Sequence, residues 1–195
     1  MLYILIVSIA MVIIITCSIL VALLFKTFSI LYAVVMPIAV LAYVILFYAV
    51  ISFLFRLIIP QKLFKYDNKI FKVKRKEVDF YEKLKIKKWK DRLPEAGKTG
   101  GFVKKNLISI ETTYLKKFLY ETCYAEFLHI LSAIFGFTAI IVFPIRDYMY
   151  VLPIVLINFL LHIPLAIVQR YNRYRLAIVY ERKLKNESNL QPQTI

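Results

Sequence analysis

Four long apolar runs constrain this chain more than any other feature of its sequence. They extend from Met1 to Phe25, from Phe28 to Phe55, from Ala125 to Phe143 and from Tyr148 to Val168. A helix of about 20 apolar residues crosses the hydrocarbon core of a bilayer. Only helices and closed barrels satisfy their backbone polar groups in that environment. The pattern therefore predicts an all-α, polytopic membrane protein with four transmembrane helices.

Prolines, one glycine and short polar stretches mark the ends of these runs. We expect Gly136 to interrupt the third span, Pro144 to stop it, and Arg146-Asp147 to form the turn into the fourth. The polar stretch Gln169–Arg175 is expected to close the fourth span, and the tail from Glu181 to Ile195, with its polar end, is expected to be disordered. The predicted division is a first transmembrane helix pair (1–60), a basic cytoplasmic or interfacial segment (61–117), a second transmembrane pair with a polar cluster (118–176) and a cytoplasmic tail (177–195).

The charge of the chain, +15 at pH 7, is concentrated between the second and third runs. Residues 61–117 hold 18 Lys and Arg against 7 Asp and Glu. Next to apolar spans, such an excess indicates the inner membrane surface and anionic lipid head groups rather than nucleic acid. Basic residues mixed with aromatic ones predict interfacial helices here, with a solvated basic linker as the alternative. Four spans then place both termini in the cytoplasm, on the side that holds 25 of the 27 Lys and Arg.

Two carboxylates and a histidine lie where the basic segment meets the third span. Thr122, Glu126 and His129 are four and three residues apart, which places them on one face of a helix, whereas Glu121 lies on another. Ionisable groups at such depth usually face a partner, a cavity or a substrate path. Arg170 and Arg173, at the end of the fourth span, lie on the same membrane side and within reach of Glu121 or Glu126.

This cluster supports two interpretations. In the first, the arginines pair with the glutamates and hold two helices in register. In the second, His129 is a general base, Glu126 orients it, and Arg170 or Arg173 binds phosphates or a developing oxyanion. His162 could face His129 across the helix pair, although a packed histidine bonded to the backbone is the commoner case. No His, Cys or carboxylate spacing predicts a metal site.

Several blocks of this sequence together resemble one bacterial enzyme family, that of glycosyl-4,4'-diaponeurosporenoate acyltransferases. The resemblance extends from about Trp89 to Leu176. The blocks that carry it are Trp89–Gly97, Gly101-Phe102 with Lys104-Lys105, Glu121-Thr122 with Ala125-Glu126 and His129, and Pro164 with Val168-Gln169-Arg170-Tyr171-Asn172-Arg173. The Gln-Arg-Tyr-Asn-Arg block is the most specific of them.

The resemblance implies a multi-pass enzyme of the bacterial cell membrane that acts in carotenoid biosynthesis, as in the staphyloxanthin pathway. It would transfer a fatty acyl group to a sugar hydroxyl of a glycosylated carotenoid or related glycolipid. Its donor would be acyl-CoA or a similar activated acyl compound, and no cofactor is expected. The candidate site residues that it implies are Trp89, Asp91, Glu121, Glu126, His129, Gln169, Arg170, Asn172 and Arg173. From their chemistry we expect His129, Glu126 and Glu121 to act in catalysis, and Arg170, Arg173, Gln169, Asn172, Trp89 and Asp91 to bind substrate. Two alternatives stay open, a non-catalytic partner or assembly protein for lipid modification and another lipid-directed group transferase.

Overall fold

The computed structural model describes residues 2–93 and 111–190, and within them the chain is helical with no strand. The α-helices are α1 (Leu2–Phe25), α2 (Ile30–Ile58), α3 (Arg75–Lys83), α4 (Ile86–Trp89), α5 (Thr112–Phe135), α6 (Ala139–Val142) and α7 (Tyr148–Leu190). Within these ranges, four helical segments are long and apolar enough to cross a membrane. The prediction of an all-α chain with four such helices is confirmed.

The third apolar run breaks where the sequence predicts a break. A short 3-10 helix, Gly136–Thr138, separates α5 from α6, and α6 ends before Pro144. A second 3-10 helix, Ile145–Asp147, then leads directly into α7. The buried carboxylate of Asp147 accepts a hydrogen bond of 2.6 Å from the Tyr32 hydroxyl. The polar turn is therefore anchored through its side chain as well as through its backbone.

The fourth long helix continues past the polar stretch that follows the fourth apolar run. Helix α7 is 43 residues long and continues through Gln169–Arg175 as far as Leu190. The helix continues because apolar side chains that follow the polar stretch recur at helical spacing and pack into the core. Leu176 and Tyr180 are buried against residues of α5. The tail is likewise helical as far as it is described, so the expected disorder is not found before Leu190.

The chain divides into two compact units, and the first comprises Met1–Ile58 and Leu128–Pro164. Its largest cluster of buried residues joins α2, α6 and α7 through Val40, Val44, Ala139, Val151, Ile154 and Val155. Polar side chains link its helices as well. The Ser18 hydroxyl donates to the Ala33 carbonyl oxygen over 2.7 Å. The side-chain amide of Asn158 donates to the Ser132 carbonyl oxygen over 2.9 Å.

Most of the surface of α1 and α2 is apolar and uncovered. Only 6% of the most apolar window of the first span, and 17% of that of the second, is buried within the protein. Soluble proteins rarely expose continuous apolar surface on this scale. In a bilayer the same surface contacts acyl chains, which suits a membrane protein.

The second unit comprises Ile59–Phe127 and Leu165–Ile195. Two clusters of buried residues hold it together. In one, Val78, Tyr81 and Ile86 of α3 and α4 pack against Val168 and Tyr171 of α7. In the other, Leu115, Phe118 and Leu119 of α5 pack against Leu176 and Tyr180. The basic segment thus contains short amphipathic helices, and α3 and α4 bury their apolar faces on α7.

Candidate functional site

Glu126 is the centre of an ionic network inside the second unit. It lies on α5 and its side chain is 3% exposed. One carboxylate oxygen accepts a hydrogen bond of 2.7 Å from Nη1 of Arg170. The other accepts a hydrogen bond from Nη2 of Arg173. The two arginines are three residues apart on α7, so they share one face of the helix. Both therefore donate hydrogen bonds to the same carboxylate. Of the two carboxylates that the arginines were expected to reach, Glu121 or Glu126, the structure shows both arginines bonded to Glu126.

Arg170 joins a second carboxylate to this network. Its Nε and Nη2 atoms donate to the two oxygens of Glu77 on α3, the second over 3.0 Å. Its Nη1 atom also donates to the Ile70 carbonyl oxygen over 3.1 Å. Such two-pronged contact is what the planar guanidinium favours and a lysine cannot reproduce. Arg170 therefore ties α3, α5 and α7 together, while 21% of its side chain is still exposed.

Arg173 is the most deeply buried charge of the network, with 1% of its side chain exposed. Its Nε atom donates to the Phe71 carbonyl oxygen over 3.0 Å. The guanidinium carbon lies 5.5 Å from the centre of the Phe71 ring, in cation–π range. Its remaining nitrogen, Nη1, is buried and has no hydrogen-bond partner among the described residues. The Arg173 guanidinium therefore has one nitrogen, Nη1, that the described residues do not use.

The charges of the network balance, since two glutamates face two arginines. Burying an ion is costly unless an opposite charge and hydrogen bonds compensate for the lost water. Burial alone would raise the pKa of Glu77, but hydrogen bonds from Arg170 and from the Tyr81 hydroxyl outweigh it and hold that pKa below its ordinary value. Glu77 is consequently ionised at neutral pH, and the formal charges of the network sum to zero.

The two histidines of the chain form a pair within the first unit. Nδ1 of His129 and Nδ1 of His162 are 3.2 Å apart, in hydrogen-bond range. The Tyr48 ring lies beside His162, with ring centres 5.5 Å apart. A hydrogen bond between two Nδ1 atoms requires a proton on one of them, and it leaves both Nε2 atoms outside this contact. The possibility that His162 faces His129 is confirmed.

The other predicted site residues have local or partly buried positions. The Trp89 indole N–H donates to the Leu84 carbonyl oxygen over 3.0 Å. Asp91 accepts from the Lys90 ammonium over 2.9 Å. Glu121 and Gln169 are half-buried. Asn172 is also half-buried, and its side-chain nitrogen is buried with no hydrogen-bond partner in the described part of the chain. The blocks Pro94–Gly97, Gly101-Phe102 and Lys104-Lys105 lie outside the described residues.

Sequence reasoning missed Glu77, the second carboxylate of the network. Glu77 is followed by Val78 and, four residues on, by Tyr81, and both of these are buried against α7. Tyr81 lies four residues after Glu77 and three after Val78, so it shares a helix face with each of them. An acidic group beside the buried face of an amphipathic helix is a signal for a buried ion pair, and it could have identified Glu77.

The fold and the site define a class of protein. Its members are helical, with four helices long enough to cross a membrane, a buried ionic network and a pair of histidines. Comparison with known families gives the particular one. The family model for glycosyl-4,4'-diaponeurosporenoate acyltransferase matches residues 60–182. The chain belongs to this bacterial acyltransferase family, as the resemblance of its blocks predicted. No curated protein and no solved structure matches the chain.

Proposed function

We propose that this protein is a membrane acyltransferase that moves a fatty acyl group to a sugar hydroxyl of a glycosylated carotenoid or related glycolipid. The match over residues 60–182 carries the proposal, because that range contains the ionic network and both histidines. Membership of an acyltransferase family favours this function over a non-catalytic assembly protein. It also favours acyl transfer over the transfer of another group.

His129 is proposed as the general base. With a proton on Nδ1, it donates to Nδ1 of His162, and Nε2 is then the basic nitrogen of the ring. Nε2 removes the hydroxyl proton as the oxygen attacks the carbonyl carbon of the acyl donor. The resulting tetrahedral oxyanion collapses, the bond to the leaving group breaks, and the protonated base returns its proton to that group. His162 would thus have the orienting role that sequence reasoning gave to Glu126.

The ionic network is proposed to contribute to substrate binding. Arg170 is the member offered for substrate contact, because its guanidinium is partly exposed while its geometry is fixed by two carboxylates. Glu126 and Arg173, both buried, hold Arg170 and the helices in place. The resemblance alone supports the remaining candidates. We propose a catalytic contribution from Glu121 and substrate contacts from Gln169, Asn172, Trp89 and Asp91.

The proposed setting is the cytoplasmic face of the bacterial cell membrane, with both termini in the cytoplasm. The distribution of Lys and Arg supports this orientation, since 25 of 27 lie in segments that it places inside. A lipid-linked acceptor and a long acyl chain then reach the site from the bilayer. An activated donor such as acyl-CoA reaches it from the cytosol, and anionic head groups surround the basic segment. No cofactor is proposed.

The test is transfer by the purified protein in lipid nanodiscs, with a labelled acyl donor and a glycosylated carotenoid. We expect His129→Ala to lower the rate at least 100-fold, since general bases typically contribute about 10²–10⁴-fold. The variant should insert and accumulate as the wild type does. Undiminished transfer by His129→Ala would show that another group is the base. Absence of acyl transfer by the wild type with every glycolipid acceptor would refute the proposed function.

A further inference from the structure

The second unit contains a groove that none of the predicted site residues lines. Its volume is about 670 Å³, within the range of small-molecule sites. The loop Gln61–Asp67 forms one side, the first two turns of α5 another, and the last part of α7 a third. The residues that line it include Lys62, Lys65, Lys116, Phe64, Leu119 and Tyr180.

The rim of this groove is strongly basic. Lys62, Lys65, Lys116 and Lys117 line it, and all four are exposed at the surface. Among the lining residues that the structure describes, Asp67 is the one carboxylate. Clustered positive charge in a concave surface concentrates anions there more effectively than the same charge on a convex one. Lysine ammonium groups bind phosphate as mobile point charges, so the rim suits a ligand with several phosphate oxygens.

The floor of the groove is apolar and aromatic. Phe64, Leu119 and Tyr180 line it and are buried. The Tyr66 and Tyr180 rings meet edge to face, with centres 5.8 Å apart. An aromatic floor beneath a basic rim is the combination that accepts a planar base together with its phosphates. A simple inorganic anion would contact the lysines of the rim but not the apolar residues of the floor.

We propose that this groove binds the phosphorylated nucleotide end of a CoA-type acyl donor. The inference rests on the proposed function, since it assigns a site to the donor of that same reaction. Coenzyme A carries a diphosphate and a ribose phosphate beside an adenine, which matches the rim and the floor. The aromatic floor favours this ligand over a phospholipid head group, which carries phosphate but no planar base. Phosphate chemistry alone is shared with anionic lipid, so the experiment separates the two sources.

The experiment measures binding of CoA to the full-length protein by titration calorimetry in nanodiscs of neutral lipid. The variant is the triple substitution Lys62→Gln, Lys65→Gln and Lys116→Gln. Its matched control is Lys69→Gln, Lys72→Gln and Lys74→Gln, which removes equal charge from exposed positions of the same segment that do not line the groove. We expect the groove variant to bind CoA about tenfold more weakly and the control to bind it nearly as the wild type does. Removing the ribose phosphate from CoA should weaken binding to the wild type and change binding to the groove variant less.

Equal weakening by the two triple variants would overturn the proposal, because general charge rather than the groove would then attract CoA. It would also be overturned if the groove variant bound CoA normally and lost only its affinity for vesicles that contain anionic lipid. Transfer assays keep this proposal separate from the proposed function. Full transfer from acyl-CoA by the groove variant refutes the groove alone. Specific CoA binding without acyl transfer refutes the proposed function and leaves the groove in place.

Discussion

Glu126→Gln is the substitution that tests the ionic network most sharply. It removes the carboxylate charge and leaves the side-chain volume nearly unchanged, so packing effects are small. Arg173, 1% exposed, then keeps its hydrogen bond to the Phe71 carbonyl oxygen but loses its salt bridge to Glu126. The network changes from neutral to a net charge of +1.

Removing one member of a buried ion pair typically costs about 3–5 kcal/mol, because an uncompensated charge remains. For a chain of this size, each kcal/mol lowers the unfolding midpoint by roughly 2–4 °C. We therefore expect Glu126→Gln to lower the midpoint by about 6–20 °C. The assay is thermal unfolding of the purified protein in detergent micelles, followed by circular dichroism.

The matched control is Asp79→Asn, which neutralises a carboxylate paired with Arg75 over 2.9 Å. That carboxylate side chain is 47% exposed, so its loss should change the midpoint little. A double variant, Glu126→Gln with Arg173→Met, should recover much of the loss because no buried charge is left unpaired. If Glu126→Gln lowered the midpoint no more than Asp79→Asn does, the buried ion pairs would contribute no more to stability than an exposed one, contrary to this prediction.

Three further predictions concern Glu77 in the second unit and, in the first unit, Gly136 and the histidine pair. Because hydrogen bonds hold the pKa of Glu77 below its ordinary value, its contribution to stability is present at neutral pH and is lost as the pH falls below the ordinary carboxyl value of about 4.3. Glu77→Gln should therefore flatten the acid side of the pH–stability profile; an unchanged profile would contradict this assignment. Gly136→Ala should destabilise the protein by about 1–2 kcal/mol, because the added Cβ would lie 2.5 Å from Nδ2 of Asn158, and a stability equal to the wild type would show that the contact relaxes freely. His162→Asn places an amide oxygen where Nδ1 accepts and should keep much of the transfer rate, whereas His162→Leu should lose most of it and shift the pH–rate profile; similar rates for the two would rule out an orienting role toward His129.

The apolar runs were enough to predict the fold class. Their lengths exceed what a soluble core helix needs, and Gly136 and Pro144 mark the break and the stop that the structure shows. The end of α7 could not be predicted in this way. Composition favours an exit from the membrane at Gln169–Arg175, and only the packing of Leu176 and Tyr180 on α5 explains why the helix continues. Hydropathy thus locates the apolar part of a helix and not its end.

The candidate site was predictable in part for a similar reason. Helical spacing placed Arg170 and Arg173 on one face, and the predicted side of the membrane brought them to the level of Glu126. The same reasoning could not reach Glu77, whose approach depends on how α3 folds back onto α7. The partner of His129 was also left open, because spacing along one helix does not specify which residue of another helix it meets. The chemical roles of these residues stay predictions.

The most direct test of the central claim is a mass-spectrometric comparison of total lipids from three bacterial strains. One strain lacks the protein, the second expresses the wild type and the third expresses His129→Ala. All three are derived from a host that makes glycosylated carotenoids or glycolipids. We predict a lipid heavier by one acyl chain in the wild-type strain alone, and its fragments would identify the acceptor. Identical lipids in the three strains, with both proteins present in the membrane, would contradict an acyltransferase that uses His129 as its base.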